Sequence, residues 1–433
     1  MVTSIIGKIF LEAYNARYTT SYSAEQFFLE IFYPLFFDSS KYLYWVQNSP
    51  FVQMKKGQKV ETLTSNERKE KLNNFIEKIN SGNVDASIAI GYPASEEKEY
   101  ATTSGQISNL FFPTSKEDVY YSWFGSALGV GVQGGISIFF YNVNILLDVY
   151  EGWKLYRKAI DSIEKLPGNK IMTWNGQWLA HRYSRFFNEV DNMSGFNPYT
   201  IKNDEFSIDT VSWTRILIGI AQKCPNKQMM GYIYSYGQTN TTIGFIPFDL
   251  SQIASPVKLY QRFFGMESGH KAEKLWGTAL GFVKACQQGV IGLRAMEPKG
   301  LRDYIEKGKM PKLSNKEEQI ISFNVYQSWI MAMLNNQDLW DKAQEFASEL
   351  YKYSSSGNRA KTVNANKVKT VLEVNNKMNF MKSMVDIIGD VENMEKMKEM
   401  ASIVNTMPSD NVPYFLTLIR FHYATFTLSL IHI

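Results

Sequence analysis

Cysteine and histidine are almost missing from this chain, with 2 Cys and 4 His among 433 residues. Two cysteines cannot make a disulfide framework, which fits a reducing cytoplasm and excludes a small stapled secreted fold. Cys224 and Cys286 lack a Cys-x-x-Cys neighbour. With four scattered histidines, little material remains for a zinc site or a Ser-His relay. Net charge is scarce too: 46 Lys+Arg against 42 Asp+Glu leave +4, too mild to identify a polyanionic partner. There is no Walker sequence, so nucleotide hydrolysis has no visible support. The first twenty residues place Glu12 after a short apolar run and offer no small-residue cleavage site, which argues against a secretory signal.

Apolar material is abundant, at 45% hydrophobic and 14% aromatic residues. That excludes a disordered chain, and the length exceeds what one hydrophobic core usually serves. No residue between Asp118 and Asp148 is charged, a length that suits a transmembrane helix. Yet the run holds Gly125, Gly129, Gly131, Gly134 and Gly135 with Gln133, Asn142 and Asn144, which lipid tolerates poorly. A buried strand pair around a glycine turn is expected instead, with a membrane-associated scaffold inserting residues 119–147 as the rival.

The pattern predicts an α+β fold: a mixed α/β N-terminal domain over residues 1–310, then a C-terminal helical bundle over 311–427. Residues 85–92 read as a strand, and 230–248 as a hairpin turning at Gly237–Asn240. Helical spacing marks residues 65–79, 148–163, 178–190 and 271–288. Residues 307–313 read as a linker. Ser314 and Glu317 match a capping box, and apolar spacings after it predict five helices, the third spanning Val368 to Val385 and the fifth opened by Pro413. Seven of the 18 methionines lie between Met378 and Met407. They suit core gap-filling, or an adaptable partner surface. The last six residues, Leu428 to Ile433, are what the mosaic-end adapter of transposon-based sequencing libraries encodes (CTGTCTCTTATACACATC). Read-through into adapter is expected there, and these residues carry no functional argument.

Gly129–Gly134 matches G-x-G-x-x-G, but β-branched and aromatic residues follow it where a dinucleotide fold needs a helix. Close packing of backbone explains the glycines better. Asp85 with Glu96 and Lys98 resembles the carboxylate and lysine set of Mg²⁺-dependent nucleases, where two carboxylates hold the ion; solvated loop charge is the alternative. Glu267 and His270 have Glu-x-x-His spacing in a single copy, half of what a di-iron bundle requires. His181 and His422 fall in helical patterns and suit ordinary hydrogen bonds.

Basic residues are more suggestive. Residues 351–384 carry seven lysines and arginines against one acid, a net +6. Lys361, Lys367 and Lys369 within it suit a phosphate backbone, or a solvated helix face. Lys55 with Lys56, and Arg182 with Arg185 on one helix, form smaller sets. Gln106 and Asn109, then Gln238 and Asn240, sit in amide-rich loops able to address base edges, or in plain turns.

Together the segment QNSPFV from Gln47, the segment SGQISNLFFP from Ser104, the glycine run, the hairpin YSYGQTNTTIGFIPF and the closing bundle are similar to the large subunit of type I CRISPR interference complexes (Cascade), nearest the type I-B branch. The similarity spans most of the chain but is diffuse. It implies a non-catalytic protein without cofactor or metal. Its first domain would recognise a protospacer-adjacent duplex and hold the crRNA 5′ end. Its bundle would guide displaced DNA, pack on backbone and small subunits, and help recruit the helicase-nuclease. Relatives in this branch often carry paired Cys-x-x-Cys motifs, and this chain has none. Sequence specificity supplied by guide pairing needs no enzyme site in such a subunit.

Overall fold

The computed structural model describes residues 1–82, 84–92, 113–224, 228–235, 241–265, 269–356 and 361–429. The fold is α+β, with small sheets in the N-terminal half and helices throughout the C-terminal half. It divides into two units, Met1–Lys223 with Gln228–Phe248, and Cys224–Lys227 with Asp249–Ile433. Residues 249–310, assigned above to the first domain, thus pack with the second. The expected linker at 307–313 lies inside that second unit.

In the first unit, helices α1 (Val2–Tyr18), α2 (Ser65–Asn80) and α3 (Lys116–Ala127) precede strands β1 (Val130–Val132) and β2 (Ile136–Phe140). Helices α4 (Val143–Ser162) and α5 (Ile171–Arg182) follow, then a β3–β4 hairpin (Tyr199–Lys202, Glu205–Ile208) and α6 (Trp213–Lys223). Strands β5 (Gln228–Ser235) and β6 (Thr241–Asp249) complete a sheet of order β1-β2-β5-β6. Capping boxes start α2 (Thr64 with Glu67) and α3 (Ser115 with Asp118), each satisfying otherwise unpaired amides of the first turn. The core is aromatic: Phe10, Phe28, Phe32, Trp123 and Trp153 are all fully buried. The indole N–H groups of Trp123 and Trp174 find carbonyls, at Ile88 (2.6 Å) and Gly152 (2.7 Å), which removes the penalty of burying them, whereas that of Trp153 has no partner among the described residues.

The uncharged run 119–147 is shared among α3, β1, β2 and the start of α4. Among the described residues no helix is long and apolar enough to cross a membrane. The strand pair forms as expected, Val130 opposite Ile138, turning through Gly134 and Gly135, whose positive φ angles of 95° and 70° exclude most other residues. The first half of the run is helical, contrary to a purely stranded reading. The G-x-G-x-x-G glycines are packing devices: a Cβ on Gly131 would meet the backbone of Met172, and one on Gly176 would overlap the Gly131 carbonyl. Asn175, fully buried, donates to the Ala127 and Gly129 carbonyls at 2.8 Å each and pins the run to α5. Gly7 and Gly125 bring α1 and α3 into backbone contact, since a methyl at Gly125 would overlap the Thr3 carbonyl. Gly125→Ala is therefore expected to cost about 2 kcal/mol by overpacking. Calorimetry should show the first unit melting roughly 4–8 °C lower; an unchanged midpoint would mean that the helices part freely.

Two helix or strand expectations fail in this unit. Residues 85–92 form turns, because the Asp85 carboxylate accepts from Ser87 N (2.7 Å) and bends the chain locally. The helix expected over 178–190 ends at Arg182, with turns beyond it.

The second unit runs α7 (Leu250–Phe264), short helical turns, α8 (Leu301–Glu306), α9 (Glu317–Leu334), α10 (Asp338–Ser355), α11 (Lys361–Glu373), α12 (Lys377–Ile388), α13 (Met394–Thr406) and α14 (Val412–Ser429). Only Gly269–Ala272 and Phe282–Cys286 are helical within the expected helix 271–288. The expected capping box does not form: α9 starts after Lys316, and the Ser314 hydroxyl accepts from Lys316 N instead. The expected third helix is two, α11 and α12, because Asn376 caps a new start by accepting from Asn379 N (2.9 Å). Met384, Met397, Met400 and Met407 are buried, as gap-filling requires, whereas Met378 and Met394 are exposed.

Candidate nucleic-acid interface

Helix α11 carries the three lysines of the basic stretch, and the fold treats each differently. Lys361 lies exposed in the first turn and has no ion pair among the described residues. Lys369 is exposed and faces Glu373 at 3.7 Å, one turn along. Such an exposed pair contributes at most about 1 kcal/mol, so a phosphate can displace it. Lys367 is held from two sides: Nζ donates to Asp390 Oδ2 (2.7 Å) and to the Asp386 carbonyl (3.1 Å). The hydrogen bond to Asp390 raises the Lys367 pKa above its usual value, and the same bond holds Asp390 below the usual carboxylate range. Lys367 is thus a strut between α11 and α12, beside a cavity of about 270 Å³ that Val363, Thr370 and Ser383 also line. Lys377 is likewise internal to the fold, donating to the Asn405 and Met407 carbonyls at the end of α13. Among the described residues the stretch presents Lys361, Lys369 and Lys382 to solvent, with Lys352, which pairs with Glu349 at 2.9 Å.

In the first unit, Lys55 and Lys56 occupy the loop before α2, both exposed, with Lys55 Nζ 3.0 Å from Glu70. Beside them is a cleft of about 220 Å³ lined by Pro50, Gln53, Gln58, Glu67 and Lys71. Lys71 is buried, its ammonium donates to the Gln53 carbonyl, and burial pushes its pKa below the ordinary value. The sequence reading missed Lys71. Its signal was register, since Lys71, Phe75 and Ile79 recur every four residues on the buried face of α2.

Arg182 and Arg185 do not share a helix. Arg182 closes α5, where it donates to Asp148 (3.3 Å) and Glu189 (2.6 Å) and covers the Phe187 ring at 4.4 Å. Arg185 lies beyond the helix, over Phe186 at 4.6 Å. His181 makes the ordinary bond expected, Nε2 to the Asn192 carbonyl at 2.9 Å. His422 does not, because its Nε2 is buried without a partner among the described residues. Asp85, the first nuclease candidate, is bound by Lys78 (3.0 Å) and Ser87. Burial opposes its ionisation, but those hydrogen bonds hold its pKa below the usual value. Gln106, Asn109, Gln238, Asn240, Glu96, Lys98 and Glu267 lie outside the described residues, as does the side chain of His270.

A larger basic excess was overlooked. Residues 258–316 hold twelve lysines and arginines against five acids, a net +7 that a charge window would have found. Here Arg302 is consumed by buried Glu297 (2.7–3.0 Å), and Lys307 by Asp303 (2.7 Å). Lys258, Lys284, Arg294, Lys299 and Lys312 are exposed and make no ion pair among the described residues. No protein-family model, curated protein or solved structure matches the chain.

Proposed function

We propose that this chain is the non-catalytic large subunit of a type I CRISPR RNA-guided surveillance complex, working in the cytoplasm. In this reading it binds the protospacer-adjacent duplex and the crRNA 5′ end, packs on backbone and small subunits, and helps recruit the helicase-nuclease. The observation that carries its nucleic-acid side is the surplus of exposed cations on the second unit, Lys361 and Lys382 on the α11–α12 pair and the set between Lys258 and Lys312. Exposed cations of this kind attract a phosphate backbone by releasing its counterions, without reading sequence. The α+β unit followed by a helical unit accords with the architecture that the resemblance implies.

The test is co-expression with a repeat–spacer array and the genes beside it, followed by purification. A guide-sized RNA should co-purify, and the complex should bind target duplex and cut it only after the helicase-nuclease is added. A preparation free of RNA that binds no duplex overturns the reading, and so does Mg²⁺-dependent cutting by the chain alone. Charge reversal refines it. Lys361→Glu with Lys369→Glu should weaken duplex binding and make the log–log salt slope shallower by about two. Lys367→Glu should instead loosen the α11–α12 pair through its lost bonds to Asp390 and Asp386. An unchanged salt slope in the double variant removes this face of α11 from the binding surface.

A further inference from the structure

We infer that the loop closing α5, Arg182–Phe187, is a stacking site for an unpaired nucleobase, with Phe186 as the platform. The loop is built rigidly. Ser184 N donates to the His181 carbonyl (3.0 Å), Phe187 N to the Ser184 carbonyl (3.3 Å), and the Tyr183 hydroxyl to Asp148 (2.9 Å). Phe187 packs edge-on against Trp178 and His181. Arg182 lies over the Phe187 ring, while Lys223, from the end of α6, sits 5.3 Å from the Tyr183 ring centre and 5.6 Å from that of Phe187. Its ammonium is held there by the Arg182 carbonyl at 3.1 Å.

Phe186 stands apart from this packing. It is 69% exposed, and the Arg185 guanidinium lies 4.6 Å from its ring centre. The turn that carries this apolar ring is already hydrogen-bonded, so a ligand that covers the ring gains contact at little further cost in backbone ordering. The cations select the ligand. A guanidinium on the ring and an ammonium beside the loop suit a molecule that combines a flat π-face with a phosphate, which is the repeating unit of a single nucleic-acid strand. Asp148 and Glu189 do not oppose this, because Arg182 binds both. The base would stack on the open side of Phe186, with its phosphate toward Lys223.

This inference rests on the nucleic-acid reading above, but it is tested on the chain alone with short single strands, so guide-dependent duplex selection can fail without touching it. Short DNA and RNA strands carrying 2-aminopurine report stacking directly, through quenching of the base. Wild type should quench at least one of them, and the arm that responds identifies DNA or RNA. Phe186→Ala should weaken binding about ten-fold and leave the base bright, and Phe186→Trp should restore both. Equal quenching and affinity in Phe186→Ala overturn the site. So does equal binding of a fully paired duplex, which offers no open base face, or binding of neither strand by wild type.

Discussion

Arg420→Ala should destabilise the second unit by about 3–5 kcal/mol, lowering its urea midpoint by roughly 2 M. Arg420 is fully buried on α14, and among the described residues no carboxylate accompanies it. Its guanidinium instead donates to the carbonyls of Leu372 (2.9 Å), Val374 (3.0 Å) and Tyr304 (2.7 Å), and to the Thr417 hydroxyl (2.7 Å). Leu372 and Val374 lie at the C-terminal end of α11, and Tyr304 lies in the last turn of α8. Helix ends expose unpaired carbonyls and carry partial negative charge, so one planar cation terminates two helices at once. Burial pushes the guanidinium pKa down to about 10, which still leaves it charged near neutrality. Alanine would take the guanidinium donors from the buried Leu372 carbonyl and the part-buried Val374 carbonyl, at about 1–3 kcal/mol each, and leave Tyr304 only the 3.5 Å bond from Thr417, besides a void. Arg420→Met refills most of the volume but supplies no donor, and should lose nearly as much. Hydrogen exchange across residues 361–373 should also quicken, since α11 loses its anchor. A midpoint within error of wild type would show that these bonds contribute nothing net.

Features that depend on near neighbours were legible in the sequence. The span of α2, the apolar spacing of α10, α13 and α14, and the alternation of β5 all follow from local periodicity. Residues 85–92 imitate a strand, yet Ile88 and Ala89 are buried in a turn whose Ile88 carbonyl serves Trp123, a partner 35 residues away. The binding surface was less legible for a related reason. A count over 351–384 stops short of Asp386 and Asp390, and these acids return to α11 only because α12 folds back on it. Counting to 390 lowers the excess from +6 to +4. Arg420 was invisible for a different reason: apart from the Thr417 hydroxyl its partners are backbone carbonyls, which no side-chain pattern announces. The break at Asn376 was legible, as an N-cap residue inside an otherwise continuous apolar pattern.

Acidification from pH 6.5 to pH 4 should cost the second unit about 3 kcal/mol more in wild type than in His422→Leu. His422 sits on α14 with its ring edge-on to Trp340 of α10, 4.5 Å between centres, and Nε2 has no partner among the described residues. Burial lowers its pKa from 6.5 to about 4. Between these values the unfolded chain binds a proton that the folded chain refuses, so stability rises with pH across the window and falls on acidification. Below about pH 4 both states are protonated and the loss levels off. Carboxylates also titrate in this range, but they are common to both proteins and cancel in the difference. Urea curves at half-unit pH steps should therefore diverge between wild type and His422→Leu from pH 6.5 downward, and become parallel near pH 4. Curves that stay parallel throughout would mean that His422 reaches solvent before the unit unfolds. In that case the contact between Trp340 and His422 is one that opens locally, and the α10–α14 seam is a weaker part of the unit than its burial suggests.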